Sequence, residues 1–188
     1  MMISPLTQHV RVFENTLTAD HCKTLIDRFE ASPDQEVCRQ DGGHSFVQVN
    51  VTRHWPDQNE ILVPIFISYF NSYGVAVNAR FWPPSFSYEH LRVKRYLPDG
   101  RDCFPLHVDV MCHDAARRFM TAMIYLNAPE AGETVFPALG LSIAPAPGRM
   151  LAFPPLWLFP HEGRPPRSGP KYILHTYLCY PAEAPAPP

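Results

Sequence analysis

The chain has 188 residues, 46% hydrophobic and 12% aromatic, a length and composition that suit one domain with a sizeable buried core. Its formal charge of −2 and pI near 6.5 give no general attraction to nucleic acid or to an anionic membrane, so neither is an expected partner. Met1 to Val10 lacks a charged region followed by an apolar one, and no uninterrupted run of about 18 apolar residues occurs, so a cytoplasmic protein is expected. Cys22, Cys38, Cys103, Cys112 and Cys179 contain no Cys-x-x-Cys pair and read as reduced thiols, not as a disulfide framework or zinc cluster.

Residues 9–14 alternate as a short strand. Thr18-Ala19-Asp20 then offers helix caps to an amphipathic run from Cys22 to Ala31, with Leu25, Ile26 and Phe29 on one face. The polar stretch from Ser32 to Gly43 reads as a loop, and Ser45 to Thr52 as a strand. From Pro56 to Tyr73, the residues Ile61, Leu62, Ile65, Phe66, Tyr69 and Phe70 recur at helical spacing, which predicts a second helix packed on a sheet. Beyond Phe81-Trp82-Pro83-Pro84 the texture changes to short β-rich segments separated by proline and glycine. Strands are expected at 86–96, 104–110, 118–127, 133–136, 141–144, 149–153, 157–162 and 171–180. The predicted fold class is mainly β with flanking helices, around a double-stranded β-helix (jelly-roll, cupin-like) core of about eight strands. One domain would span 1–188, with buttressing elements in 1–85, the jelly-roll core in 86–180 and a mobile proline-rich tail in 181–188. The basic stretch Arg92, Lys94, Arg95 and Arg101 reads as strand surface.

Within these strands lie His107-Val108-Asp109, then His161, then Lys171. In an extended strand, residues two apart point to one side, so His107 and Asp109 can reach the same metal. Two imidazoles and one carboxylate can occupy one face of a ferrous ion and leave the other face open. His161 would arrive from another strand, and Lys171 could sit deeper as a cationic anchor. His113 and His175 are candidates for substrate or supporting contacts only, and Arg101, Trp82 and Trp157 for a substrate mouth.

Several blocks in this order resemble the non-haem iron(II) and 2-oxoglutarate-dependent oxygenases, in the prolyl 4-hydroxylase-like branch. They are Leu91 to Tyr96, Phe104 to Asp109, Arg118 to Asn127, Gly132 to Pro137, Gly148 to Pro154, Phe159 to Gly163 and Lys171 to Leu174, within 86–180. The resemblance implies a dioxygenase with His107, Asp109 and His161 as catalytic ligands of Fe(II) and 2-oxoglutarate as cosubstrate. It implies that Lys171, Tyr96, Tyr125 and Thr134 bind the cosubstrate, that ascorbate supports turnover, and that succinate and carbon dioxide are released. The expected substrate is an amino acid, a peptide, with proline the leading target, or a small natural product. Phe104 stands where the branch often has tyrosine, and the segment from Tyr96 to His107 is longer than its usual form, which leaves the substrate open. A non-catalytic metal- or 2-oxoglutarate-binding jelly roll and a zinc hydrolase are the alternative readings.

Overall fold

The structure is a computed structural model that describes residues 5–39, 43–98, 100 and 102–182. Gly42, Arg101 and the tail beyond Ala182 lie outside the described residues, so the expectations for them stand at the level of sequence. In chain order, β1 (Arg11–Phe13) is followed by α1 (Ala19–Ala31), β2 (Glu36–Arg39), β3 (Ser45–Asn50), α2 (Val51–His54) and α3 (Pro56–Ala76). Then come β4 (Ser87–Tyr88), β5 (Arg92–Tyr96), β6 (Phe104–His107), β7 (Arg118–Tyr125), β8 (Thr134–Phe136), β9 (Leu141–Ile143), β10 (Arg149–Phe153), β11 (His161–Gly163) and β12 (Lys171–Cys179).

Two antiparallel sheets form. The larger runs β1-β10-β7-β12-β5-β3-β2, with β4 also paired to β12, and the smaller runs β6-β11-β8-β9. The inner strands β5, β12, β7 and β10 pack against the four strands of the smaller sheet, which is the expected jelly roll.

Period-two alternation divides the larger sheet into two faces with different work. On one face Val93, Ala122, Ile124, Met150, Ala152, Tyr172, Leu174 and Leu178 pack against Leu25 and Phe29 of α1 and Leu62, Phe66, Phe70 and Tyr73 of α3. On the other, Tyr96, Met123, Tyr125, Leu151, Phe153 and Ile173 meet Phe136 and Phe159 between the sheets. All nine residues of β12 are buried, so both faces of that strand are covered. Each large apolar side chain taken out of water in this way contributes about 1.5–3 kcal/mol. Thr18 caps α1 as its sequence position predicts, accepting from the backbone N of His21 at 3.1 Å. No helix among the described residues is long and apolar enough to cross a membrane.

The structure departs from the sequence reading at several boundaries. β2 lies inside the stretch expected to be a loop; it pairs only with β3 at the sheet edge and is mostly exposed, so it carries no buried alternation. The 86–96 strand is two strands, β4 and β5. β6 ends at His107, so Asp109 lies past the strand and not within it. The strand expected over 157–162 is β11, beginning at His161, because Pro154, Pro155 and Pro160 have no N–H for a ladder and Phe159 N instead closes a turn on Leu156 O at 2.8 Å.

Candidate active site

The inward faces of β5 and β12 supply most of one cavity. From Lys171, alternation along β12 puts Ile173, His175 and Tyr177 on its wall; along β5 it puts Lys94 and Tyr96 there. Phe104, His107 and Asp109 enter from β6 and its extension, Met123 from β7, Thr134 from β8, and His161 and Gly163 from β11. The space between these side chains, counted together with the solvent open to it, is about 440 Å³.

His107 and His161 are register partners across β6 and β11, with ring centroids 4.2 Å apart. Asp109, its side chain only 7% exposed, lies 3.5 Å from His107 Nε2 through Oδ1 and 3.9 Å from His161 Nε2 through Oδ2. One ligand atom from each of the three residues falls within 4.8 Å of the other two. Each imidazole is oriented the same way. His107 Nδ1 contacts Pro105 O at 2.7 Å and His161 Nδ1 contacts Phe159 O at 3.1 Å. A carbonyl only accepts, so Nδ1 carries the proton in both rings and the Nε2 lone pairs are free for a metal. Burial draws His161 down to about 4, against the attraction of Asp109, which keeps the ring neutral at physiological pH. Burial pushes the Asp109 carboxyl up, but the neighbouring His107 and then His161 outweigh burial and hold the group below the usual carboxylate range. Tyr177 OH donates to Asp109 Oδ1 at 2.8 Å and fixes that oxygen. Two imidazoles that turn Nε2 to one point and one ionised carboxylate fit a ferrous ion with open positions.

Away from this triad, Lys171 is 3% exposed and donates to Gly132 O at 3.1 Å and Arg164 O at 3.4 Å, with its ammonium 4.7 Å from the centre of the Tyr96 ring. Burial lowers it to about 8. Carbonyls and a ring face offset only part of the several kcal/mol that burying an ammonium costs, so the group is prepared for an anion. Thr134 lines the cavity, whereas Tyr125 stands behind it and donates to its Oγ1 at 2.6 Å.

Lys94 and Tyr177 were not assigned to the site by sequence reasoning, and His175 only as a candidate for a substrate or supporting contact. Lys94, read there as strand surface, is 9% exposed and faces the cavity. His175 Nε2 lies 2.9 Å from Thr121 Oγ1, and its pKa is well below the ordinary value through burial and then the charge of Lys94. The available signal was the alternation itself: counting by twos from Lys171 and back from Tyr96 reaches all three. Trp82 does not join the cavity wall; its ring packs on Tyr73 and Phe119. His113 is fully exposed beside Asp114, and Trp157 is exposed.

Residues 91–179 match the family model of the 2OG-Fe(II) oxygenase superfamily. No curated protein matches the chain. Among solved structures, the viral collagen prolyl hydroxylase of Paramecium Bursaria Chlorella virus-1, in its 2OG complex, has a TM-score of 0.73 at 23% identity, covering 92% of this chain and 97% of its own. A prolyl hydroxylase from Trichoplax adhaerens, in complex with a hypoxia inducible factor oxygen degradation domain peptide fragment, has a TM-score of 0.72 at 17% identity, covering 92% and 84%. A Pseudomonas putida prolyl-4-hydroxylase has 0.68 at 18%, covering 93% and 94%. At these identities the likeness is one of fold. The likeness to the 2OG-Fe(II) oxygenase superfamily thus lies in residues 91–179, the stretch that carries His107, Asp109, His161 and Lys171.

Proposed function

We propose that the protein is an Fe(II)- and 2-oxoglutarate-dependent dioxygenase that hydroxylates an unactivated C–H bond of an amino-acid or peptidyl substrate, releasing succinate and carbon dioxide. One observation carries the reading: a single cavity holds two imidazoles with their Nε2 atoms turned to one carboxylate and, apart from them, a buried ammonium that among the described residues donates to carbonyls. In this reading His107, Asp109 and His161 hold the iron. Lys171 neutralises the distal carboxylate of 2-oxoglutarate, whose burial without a cation would be prohibitive. Thr134, oriented by Tyr125, and Tyr96, against the Lys171 ammonium, complete that end of the cavity. When bound, iron and cosubstrate supply the oxidising chemistry that activates dioxygen; the chain orients them and excludes water. A prolyl target has the support of the three prolyl hydroxylases that share the fold.

The test is an anaerobic titration with Fe(II) and then 2-oxoglutarate, following the visible iron-to-ketoacid charge-transfer band. The band is expected in the wild type and absent in His107→Ala, while Lys171→Ala should need far more 2-oxoglutarate to reach it. A wild type without the band would overturn the reading in favour of a zinc hydrolase or a non-catalytic module. Succinate release with ascorbate and a substrate pool then separates turnover from binding.

A further inference from the structure

We infer that Lys94 is the carboxylate anchor of the substrate, and that the substrate is a free α-amino acid, with its own carboxylate inside the cavity, not a residue within a peptide. The inference rests on the proposed oxygenase reading and narrows its substrate class.

Lys94 projects from β5 opposite Ile173 of β12, one inward position along from the pair Tyr96 and Lys171. It is 9% exposed, and its ammonium lies 4.7 Å from the centre of the Phe46 ring and 5.8 Å from that of Phe104. Among the described residues it has no hydrogen-bond acceptor and no carboxylate within ion-pair distance. The charged and titratable groups that face it are Asp109, Cys38, Arg92 and Arg118, with His44 and His175 also in its field. Of these only Asp109 is an anion at physiological pH, and a bound metal takes up its charge. Lys171 has different surroundings, dominated by Glu133, Gly132 O and Arg164 O.

The cavity therefore contains two buried cations in separate surroundings. 2-Oxoglutarate brings two carboxylates, one bound to the metal and one to Lys171, so Lys94 is left without an anion. A peptide bond offers it only a neutral carbonyl, whereas the carboxylate of a free amino acid compensates the charge fully. Met123, Ile173 and Phe104 provide apolar wall for a carbon chain.

The experiment uses the full chain loaded anaerobically with Fe(II) and 2-oxoglutarate, titrated with the proteinogenic L-amino acids, proline included, and with their carboxamides. The charge-transfer band reports both ligands. At least one free acid is expected to perturb the band while its carboxamide does not. Lys94→Met should weaken that acid by about tenfold or more with the 2-oxoglutarate midpoint unchanged, and Lys94→Arg should retain binding. Equal binding of acid and carboxamide, no response to any free acid, or a 2-oxoglutarate midpoint that moves in Lys94→Met would each overturn the inference. In the last case Lys94 serves the cosubstrate. Absence of the band itself would instead sink the oxygenase reading.

Discussion

At the scale of single residues, the metal-binding face is prepared by hydrogen bonds from behind. Tyr177 OH holds Asp109 Oδ1, and a buried carboxylate losing such a partner swings or keeps a less favourable rotamer. Tyr177→Phe removes that one bond while keeping the ring; it is expected to raise the Fe(II) midpoint by about tenfold, read from the same band. An unchanged midpoint would mean that the histidines alone orient Asp109. The cosubstrate end predicts a pH dependence. Burial lowers Lys171 to about 8, and an anion binds the ammonium form. Above that value the free protein has lost the proton that binding requires, so the 2-oxoglutarate dissociation constant should rise by about tenfold per pH unit, and stay flat below. Lys171→Arg, always charged, should flatten the rise; a wild type indifferent between pH 7 and 9 would contradict this role for the lysine.

At the scale of elements, strand alternation explains both what was legible and what was not. The motif residues stood out by type, and β7, β10 and β12 by their apolar runs. Lys94 was hidden because a charged residue in a basic stretch reads as solvent-facing, and only β5 lying between β12 and β3 puts it inside. β2 was hidden because an edge strand exposes Glu36, Val37 and Arg39 and so has no apolar period. Asp109 was placed correctly beside His107 although the strand stops before it, since the chain continues past β6 with both side chains turned to the cavity. Turns matter equally. Gly132, between β7 and β8, has φ 83°, and a Cβ there would lie 3.1 Å from Lys171 Cδ while its carbonyl accepts from Lys171 Nζ. Gly132→Ala combines left-handed strain of about 1–3 kcal/mol with displacement of the lysine. A lower melting temperature together with a higher 2-oxoglutarate midpoint is expected, and a change in the first alone would argue that Lys171 is positioned by Arg164 O instead.

At the scale of the whole molecule, the strands that carry the site are held from the opposite side by the first half of the chain. Glu30 of α1 accepts from Arg95 of β5 at 2.9 Å and from Tyr172 of β12 at 2.6 Å, so one helix residue ties together the two strands that carry Lys94 and Lys171. Leu25, Phe29, Leu62, Phe66, Phe70 and Tyr73 cover the same sheet. At about 1.5–3 kcal/mol each, those six side chains amount to something comparable with the entire net stability of a domain, roughly 5–15 kcal/mol. The jelly roll is thus not expected to stand without its buttress. A fragment covering 86–182 should show no cooperative thermal transition, no near-ultraviolet circular dichroism and no charge-transfer band, since Val93, Ile124, Leu174 and Leu178 would face water. A fragment that melts cooperatively and binds Fe(II) with 2-oxoglutarate would show that the metal-binding strands are self-sufficient, and would reduce α1 and α3 to accessories of an independent core.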